Sequence, residues 1–107
     1  MSIIFISGKI SNGVSEISDE MLQEAHRRFY RVQVKLEVLG HTVINPMILD
    51  PIGDASWSSY MKGCIQALMN ADYIYSMDGW QESKGSKIEH EVASMVDIPR
   101  FERSELI

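Results

Sequence analysis

A single glutamate in the segment 78–93, DGWQESKGSKIEHEVA, has two chemical interpretations. Glu89 follows Ser86 by three residues, the spacing of a capping box, in which a glutamate accepts a hydrogen bond from the backbone N–H of the helix N-cap. An ionised carboxylate at a helix start can also attack an electrophilic carbon, such as the anomeric carbon of a sugar, and form a covalent intermediate. Spacing alone favours capping. The hypothesis that Glu89 is catalytic requires a pocket beside its carboxylate.

The residues just before Glu89 are small and polar. Ser83, Gly85 and Ser86 would most simply cap the start of a helix. Backbone N–H groups and hydroxyls at a helix N-terminus also bind phosphate, although this segment matches neither the P-loop pattern nor G-x-G-x-x-G. The cluster is therefore a weak indication of a phosphate site.

A second group of candidate binding residues follows the apolar run SIIFIS. Ser7, Gly8, Lys9, Ser11 and Asn12 form either an ordinary connection to a helix or a substrate loop. In a substrate loop the glycine would allow a ligand to approach the backbone closely, and the lysine would attract a phosphate. The two interpretations are equally supported by the residues.

Two further candidates follow the apolar run DYIYSM. Asp78 belongs to an Asp-Gly pair, which is typical of a turn. Trp80 either packs against the protein surface or offers a flat face on which a nucleobase stacks. Both residues are candidates for substrate binding.

The elements that must position these residues alternate between strand and helix patterns. Strands are predicted at 3–7, HTVINP, DYIYSM and IPRF, and helices at 18–39, 57–68 and KGSKIEHEVASMV. Such alternation predicts right-handed crossovers and a parallel sheet. The predicted fold is therefore an α/β three-layer, flavodoxin-like sheet of about four strands in order 2-1-3-4. Ligands of these sheets bind at the carboxyl ends of the strands where the order reverses, which predicts a pocket between the loops 7–12 and 78–86 with Glu89 at its floor.

The composition argues against several classes of function. The 107 residues carry a net charge of −5 without a basic run, so a nucleic-acid polymer is not an expected partner. The only cysteine, Cys64, excludes an internal disulfide and is expected to be a small buried hydrophobe. The histidines have no metal-ligand spacing, and we expect neither metal nor cofactor. No apolar run reaches about 20 residues and the start lacks a signal-peptide pattern, so a single cytoplasmic domain over 1–107 is expected.

Several segments carry, in chain order, a resemblance to a known family: FISGKIS, GHTVINP, Trp57 with Tyr60-Met61, NADYIYSMDGW and SKGSKIEHEVA. Together they resemble the nucleoside 2-deoxyribosyltransferase-like superfamily, and most closely its small, often phage- or prophage-encoded branch of uncharacterised domains. The most specific part is the pattern S-x-G-x-x-x-E-x-x-x-A, which is filled by Ser83, Gly85, Glu89 and Ala93.

The resemblance implies a role for each matching residue. Glu89 matches the family nucleophile, which attacks C1′ of a deoxyribose and releases the base. Ser83 matches a serine that contacts the 5′-phosphate, whereas relatives that act on nucleosides have an aspartate there that contacts the base. The loop 7–12 matches the substrate-binding loop of the family.

Two departures from the family pattern bear on activity. Cys64 lies eight residues before Asp72, where the family has a second catalytic aspartate. General acid–base assistance is worth about 10²–10⁴-fold in rate, and a thiol cannot replace the carboxylate. The family has Tyr-Ile-Ser-Gly-Pro where this chain has residues 5–9. Phe5 replaces the tyrosine, and Lys9 replaces the proline and adds a cation that would favour phosphate.

Three functions follow as hypotheses. The first is an N-glycosidase or deoxyribosyltransferase that acts through Glu89 on 2′-deoxynucleosides or their 5′-monophosphates. The second is a non-catalytic or weakly catalytic protein of the same fold that binds or senses a nucleotide. The third is a globular protein in which Glu89 only caps its helix. An acidic side chain supplied by Asp50, Asp54 or a second subunit could replace the family aspartate that is absent at Cys64. It would thereby restore the first hypothesis.

The expected partner is a small deoxynucleoside or deoxynucleotide, with no nucleic-acid polymer and no membrane. Because the family commonly closes its sites between subunits, the resemblance implies a homodimer or a higher homo-oligomer. It also implies the cytoplasm of a bacterium or of a phage-infected host cell. The base, and the choice between hydrolysis and transfer, are left open by the sequence.

Overall fold

The computed structural model describes residues 2–10, 18–48 and 56–102. Within these ranges the chain alternates strands and helices: β1 (Ile3–Ser7), α1 (Asp19–Val38), β2 (Thr42–Ile44), α2 (Trp57–Leu68), β3 (Tyr73–Ser76), α3 (Lys84–Met95) and β4 (Arg100–Glu102). Short 3-10 turns cover Pro46–Ile48 and Trp80–Glu82. Each helix in these ranges is too short or too polar to cross a lipid bilayer.

Four strands of the described part form one parallel sheet in the order β2-β1-β3-β4. β1 lies between β2 and β3, with Phe5 opposite Ile44 on one side and Ile74 on the other. β3 also pairs with β4, where Ile74 lies opposite Arg100. The predicted α/β sheet and its strand order are confirmed. The order reverses between β1 and β3, so the carboxyl ends of these two strands define the expected binding position.

The long first helix begins and ends where the sequence predicts. The Ser18 side chain accepts a hydrogen bond of 3.2 Å from the backbone N–H of Met21, which satisfies one free donor of the first turn. Gly40 follows the helix with φ of +94°, a conformation that glycine adopts without the steric cost of a Cβ. Ala25, Phe29 and Leu36 form the buried face between these ends.

Alternate side chains of the strands feed two cores on opposite faces of the sheet. Ile4 and Ile6 pack with Phe29 and Leu36 of α1. Phe5 packs instead with Cys64 of α2 and Ala93 of α3 on the other face. Because side chains alternate along a strand, Ser7 at the end of β1 faces α3 and not α1. The Ser7 hydroxyl therefore lies at the carboxyl end of β1, on the face of the sheet that α3 covers.

Candidate active site

Glu89 lies in the second turn of α3 and does not cap it. The N-cap is Ser83, whose hydroxyl accepts a hydrogen bond of 3.2 Å from the backbone N–H of Ser86. The predicted capping box built on Ser86 and Glu89 is therefore wrong, because the helix begins at Lys84, ahead of Ser86. The expected position of Glu89 at the helix start is wrong for the same reason. Its carboxyl group is left available for other partners.

The Glu89 carboxyl group is buried against β1. The side chain is only 5% exposed, and the Ser7 hydroxyl donates a hydrogen bond of 2.7 Å to its Oε1. Burial raises the pKa of Glu89 from 4.5 to about 7, although hydrogen bonds from Ser7 and Cys64 lower it. At neutral pH this carboxyl group is thus poised between its neutral and charged forms, as carboxyls in catalytic sites commonly are.

The Cys64 side chain faces the Glu89 carboxyl group from α2. It is fully buried, and its thiol lies beside the side chains of Glu89 and Tyr60. Burial, reinforced by the Glu89 charge, raises the pKa of Cys64 to about 12. A thiol that stays neutral at physiological pH acts here as a weak hydrogen-bond donor and not as a proton-transfer group.

Tyr60 extends this set of polar contacts away from Glu89. Its hydroxyl donates a hydrogen bond of 2.7 Å to the carbonyl of Pro46, at the short turn that follows β2. Burial raises the pKa of Tyr60, with the neighbouring Cys64 and Glu89 adding to the effect. The phenol therefore remains neutral and fixes α2 relative to the end of β2.

His90 forms a second buried polar cluster next to Glu89. Its Nδ1 lies 2.7 Å from the Ser86 carbonyl oxygen and 3.5 Å from the Ser7 hydroxyl, and its Nε2 lies 2.6 Å from the Ser76 hydroxyl. Burial lowers the pKa of His90, and the nearby Arg100 lowers it further, although the Ser86 carbonyl opposes the shift. The imidazole is therefore held in its neutral form.

The carbonyl of Ser86 determines which histidine nitrogen carries the proton. A carbonyl oxygen only accepts hydrogen bonds, so Nδ1 of the neutral ring must be the donor and Nε2 the acceptor. The Ser76 hydroxyl then donates to Nε2, and it accepts from Arg100 Nη1 at 3.4 Å. Each group in this chain of hydrogen bonds therefore donates to the next, from the exposed Arg100 through Ser76 and His90 to the Ser86 carbonyl.

The Ser7 hydroxyl joins the histidine cluster to Glu89. Ser7 Oγ lies 2.5 Å from the Ser86 hydroxyl as well as 2.7 Å from Glu89 Oε1. When Glu89 is ionised it only accepts, so Ser7 donates to it and Ser86 donates to Ser7. Every buried side-chain nitrogen or oxygen in the part of the chain that the structure describes has a hydrogen-bond partner.

Trp80 is engaged by His90. The two rings are stacked with centroids 3.7 Å apart and planes 13° from parallel, and the Arg100 guanidinium lies 5.6 Å from the Trp80 centroid. Of the two interpretations of Trp80, the contacts show packing against protein groups. A role in stacking on a nucleobase stays a prediction.

The loop after β1 uses its lysine and glycine for contacts within the protein. Lys9 forms an ion pair with Glu82 in the turn before α3. A Cβ placed on Gly8 would lie 2.8 Å from Met77 Cβ, so the glycine is required for the close approach of this loop to the end of β3. Ser11 and Asn12, like Asp50 and Asp54, lie outside the described residues, and the predicted pocket that they would border stays a prediction.

The other predicted binding residues also have structural positions. Asp78 is exposed beside Lys9, and both line a cavity of about 370 Å³. Gly85 lies against the sulfur of Met61, which is 3.1 Å from where a Cβ would be. The structure thus places Ser7, Cys64 and Glu89 in one buried cluster, with Lys9 and Asp78 outside it.

Sequence reasoning missed Ser76, His90 and Tyr60 as members of this site. A signal for His90 was present, because Ser86, Glu89, His90 and Ala93 recur at helical spacing and form the buried face of α3. Three or more His, Cys, Asp or Glu side chains do not converge into a metal-binding group anywhere in the ranges 2–10, 18–48 and 56–102.

One comparison with known proteins identifies a family. The protein-family model described as "Domain of unknown function (DUF4406)" matches residues 2–99, and the chain belongs to this family. No curated protein and no solved structure matches the chain.

Proposed function

We propose that the protein cleaves or transfers the N-glycosidic bond of 2′-deoxynucleosides or their 5′-monophosphates, with Glu89 as the nucleophile. The proposal combines the resemblance to the nucleoside 2-deoxyribosyltransferase-like superfamily with the geometry of the site. The observation that carries it is the buried Glu89 carboxyl group beside Ser7, at the carboxyl ends of the two strands where the sheet order reverses.

The chemistry of the proposed step needs Glu89 in its charged form. The ionised carboxylate attacks C1′, the bond from C1′ to the base breaks, and the base leaves with the bonding electrons and takes up a proton. Water or a second base then displaces the glutamate from C1′. Ser7 supports the charged form, because a hydrogen bond donated to a carboxylate lowers its pKa.

A second candidate function is favoured by Cys64. This neutral thiol lies beside Glu89 at the position where the resembled family has its second carboxylate. Without a group that exchanges protons at neutral pH, the same pocket would bind a deoxynucleotide and release its base slowly or not at all. The alternative is therefore a nucleotide-binding or nucleotide-sensing protein of the same fold.

A substrate panel distinguishes the two candidates. The protein is incubated with the four common 2′-deoxynucleosides and their 5′-monophosphates, and free base is measured by chromatography. Base release supports the enzyme. Saturable binding by calorimetry without base release supports the binding protein. If no compound is cleaved and none binds, both candidate functions are contradicted. We expect the 5′-monophosphates to bind more tightly than the nucleosides, because the N-terminus of α3 and the Ser83 hydroxyl offer hydrogen-bond donors to a phosphate.

A further inference from the structure

The face of the sheet opposite Glu89 carries a cavity whose lining is cationic. The cavity measures about 250 Å³ and is bordered by Arg28, Arg31 and Lys35 from α1, and by Tyr75 and Met77 from the end of β3. Tyr75 and Met77 belong to the core packed under α1, whereas the neighbouring Ser76 faces His90 beneath α3. The cavity is therefore separated from Glu89 by the thickness of the sheet.

The three cations lie on one face of α1. They are spaced by three and four residues, which brings their side chains together, and like charges at these spacings destabilise a helix in the absence of an anion. Arg31 and Lys35 have no ion-pair partner among the described residues. Among the described residues of the lining Asp78 is the one carboxylate, so the lining has an excess of two positive charges in a protein whose net charge is −5.

A hydrogen bond within the protein fixes one of the three cations. Arg28 Nη1 donates a hydrogen bond of 3.3 Å to the carbonyl of Lys9, in the loop that follows β1. Arg27, the next residue along the helix, pairs through two nitrogens with Glu24 and does not border the cavity. The helix therefore carries an ion-paired arginine next to the three cations that border the recess.

We propose that the recess bordered by Arg28, Arg31 and Lys35 binds a small phosphorylated ligand. A phosphate monoester carries close to two negative charges at neutral pH, which matches the excess positive charge of the lining. Arginine guanidinium groups bind phosphate oxygens through paired N–H donors. The Asp78 carboxylate accepts hydrogen bonds, so it favours an ester whose organic part carries a hydroxyl or amino group. A cavity of about 250 Å³ lies below the usual range for drug-sized ligands, and this restricts the ligand to a small one.

The test uses inorganic phosphate and glycerol 3-phosphate at constant ionic strength, with binding followed by nuclear magnetic resonance. We expect saturable shifts of the Arg28, Arg31 and Lys35 signals, and tighter binding of the ester than of phosphate. Arg31→Ala and Lys35→Ala should each weaken binding about tenfold, which corresponds to the loss of one charge-assisted hydrogen bond. Arg27→Ala is the matched control, because it removes the same charge from the same helix and should change affinity less than twofold.

Three results would overturn this site. The first is a linear, non-saturating response up to high phosphate concentration. The second is an equal loss of affinity in Arg27→Ala, which would show a general charge effect. The third is a saturable response confined to the amides of residues 83–86, which would place phosphate at the start of α3. The site does not depend on the proposed glycosidase function, since it lies on the other face of the sheet and is measured by binding alone.

Discussion

The Ser7 hydroxyl lies 2.7 Å from Glu89 Oε1 and donates a hydrogen bond to it. Ser7 is the last residue of β1, and Glu89 lies in the second turn of α3, so this contact joins the centre of the sheet to the helix that carries the proposed nucleophile. The bond works against the effect of burial, which raises the pKa of Glu89. The Ser7 hydroxyl therefore increases the fraction of Glu89 that is charged at neutral pH.

Removing the Ser7 hydroxyl should raise the pKa of Glu89 above its value of about 7. In Ser7→Ala the carboxylate loses a donor while its burial stays the same, so the neutral form gains at any given pH. The pKa is measured from the ¹³C shift of the glutamate carboxyl carbon. The control is Ser94→Ala, which removes an exposed hydroxyl from α3, the helix that carries Glu89, and should leave the pKa of Glu89 unchanged. An unchanged or lower pKa in Ser7→Ala would contradict the hydrogen bond from Ser7 to the Glu89 carboxylate.

The stability of the protein should carry a contribution from Glu89 that falls as pH rises. The folded-state pKa, about 7, exceeds the ordinary value of 4.5, so the folded state binds more protons between these values. The contribution is fully present below pH 4.5 and is lost as pH rises through 7. Its size is about 3 kcal/mol of unfolding free energy.

Urea unfolding of the wild type and Glu89→Gln across pH 4 to 8 isolates this contribution. His90 acts in the opposite direction, because its lowered folded-state pKa makes stability rise with pH toward its ordinary value of 6.5. Taking the difference between the two proteins removes the His90 effect. The unfolding free energy of the wild type minus that of Glu89→Gln should fall as pH increases. A difference that does not change with pH would contradict the raised pKa of the buried carboxyl group.

His90 should exist as the neutral tautomer with its proton on Nδ1. The Ser86 carbonyl, 2.7 Å from Nδ1, requires a donor, and Nε2 then accepts from Ser76. The two nitrogens are distinguished by ¹⁵N nuclear magnetic resonance. His26 is exposed on α1 and serves as an internal comparison. A proton found on Nε2 would contradict the direction of the hydrogen bonds, and a His90 pKa at or above its usual range would contradict the neutral ring.

Replacing Cys64 with aspartate should raise base release by up to about 10²–10⁴-fold, because a carboxylate beside Glu89 can transfer protons and orient the sugar. The same change should lower stability, since it places a second acid in a fully buried position. Turnover and melting temperature are measured for Cys64→Asp and for Cys64→Asn, which has nearly the same shape without the charge. Equal turnover in the two variants would show that position 64 provides packing alone.

The sequence predicted the sheet because each strand is a short apolar run and each helix has an apolar face. It predicted the ends of α1 because Ser18 and Gly40 are strong local signals. It also predicted the start of α3, because the segment KGSKIEHEVASMV begins at Lys84. It assigned the capping box to Ser86 because Ser83 and Ser86 are both suitable N-caps, and the choice between them depends on the turn at Trp80–Glu82 that leads into the helix.

The candidate site was predicted in part. Glu89, Ser7 and Cys64 were recognised through the family motif and the strand order. His90 lies between two glutamates, and such a neighbourhood is typical of a solvent-exposed stretch. Its burial arises from packing against Ser76 and Trp80, which are distant from it along the chain. Local sequence patterns do not report contacts of that kind.

Base release by Glu89→Gln is the most direct test of the proposed nucleophile. The wild type, Glu89→Gln and Glu91→Gln are incubated with a 2′-deoxynucleoside 5′-monophosphate that the wild type cleaves, and free base is measured by chromatography. Glu91 is an exposed glutamate on the same helix and provides a matched control. We predict that the wild type and Glu91→Gln release base at similar rates, and that Glu89→Gln folds normally but falls to the background rate. Base release by Glu89→Gln at the rate of the wild type, or no release from any substrate by the wild type, would contradict the account.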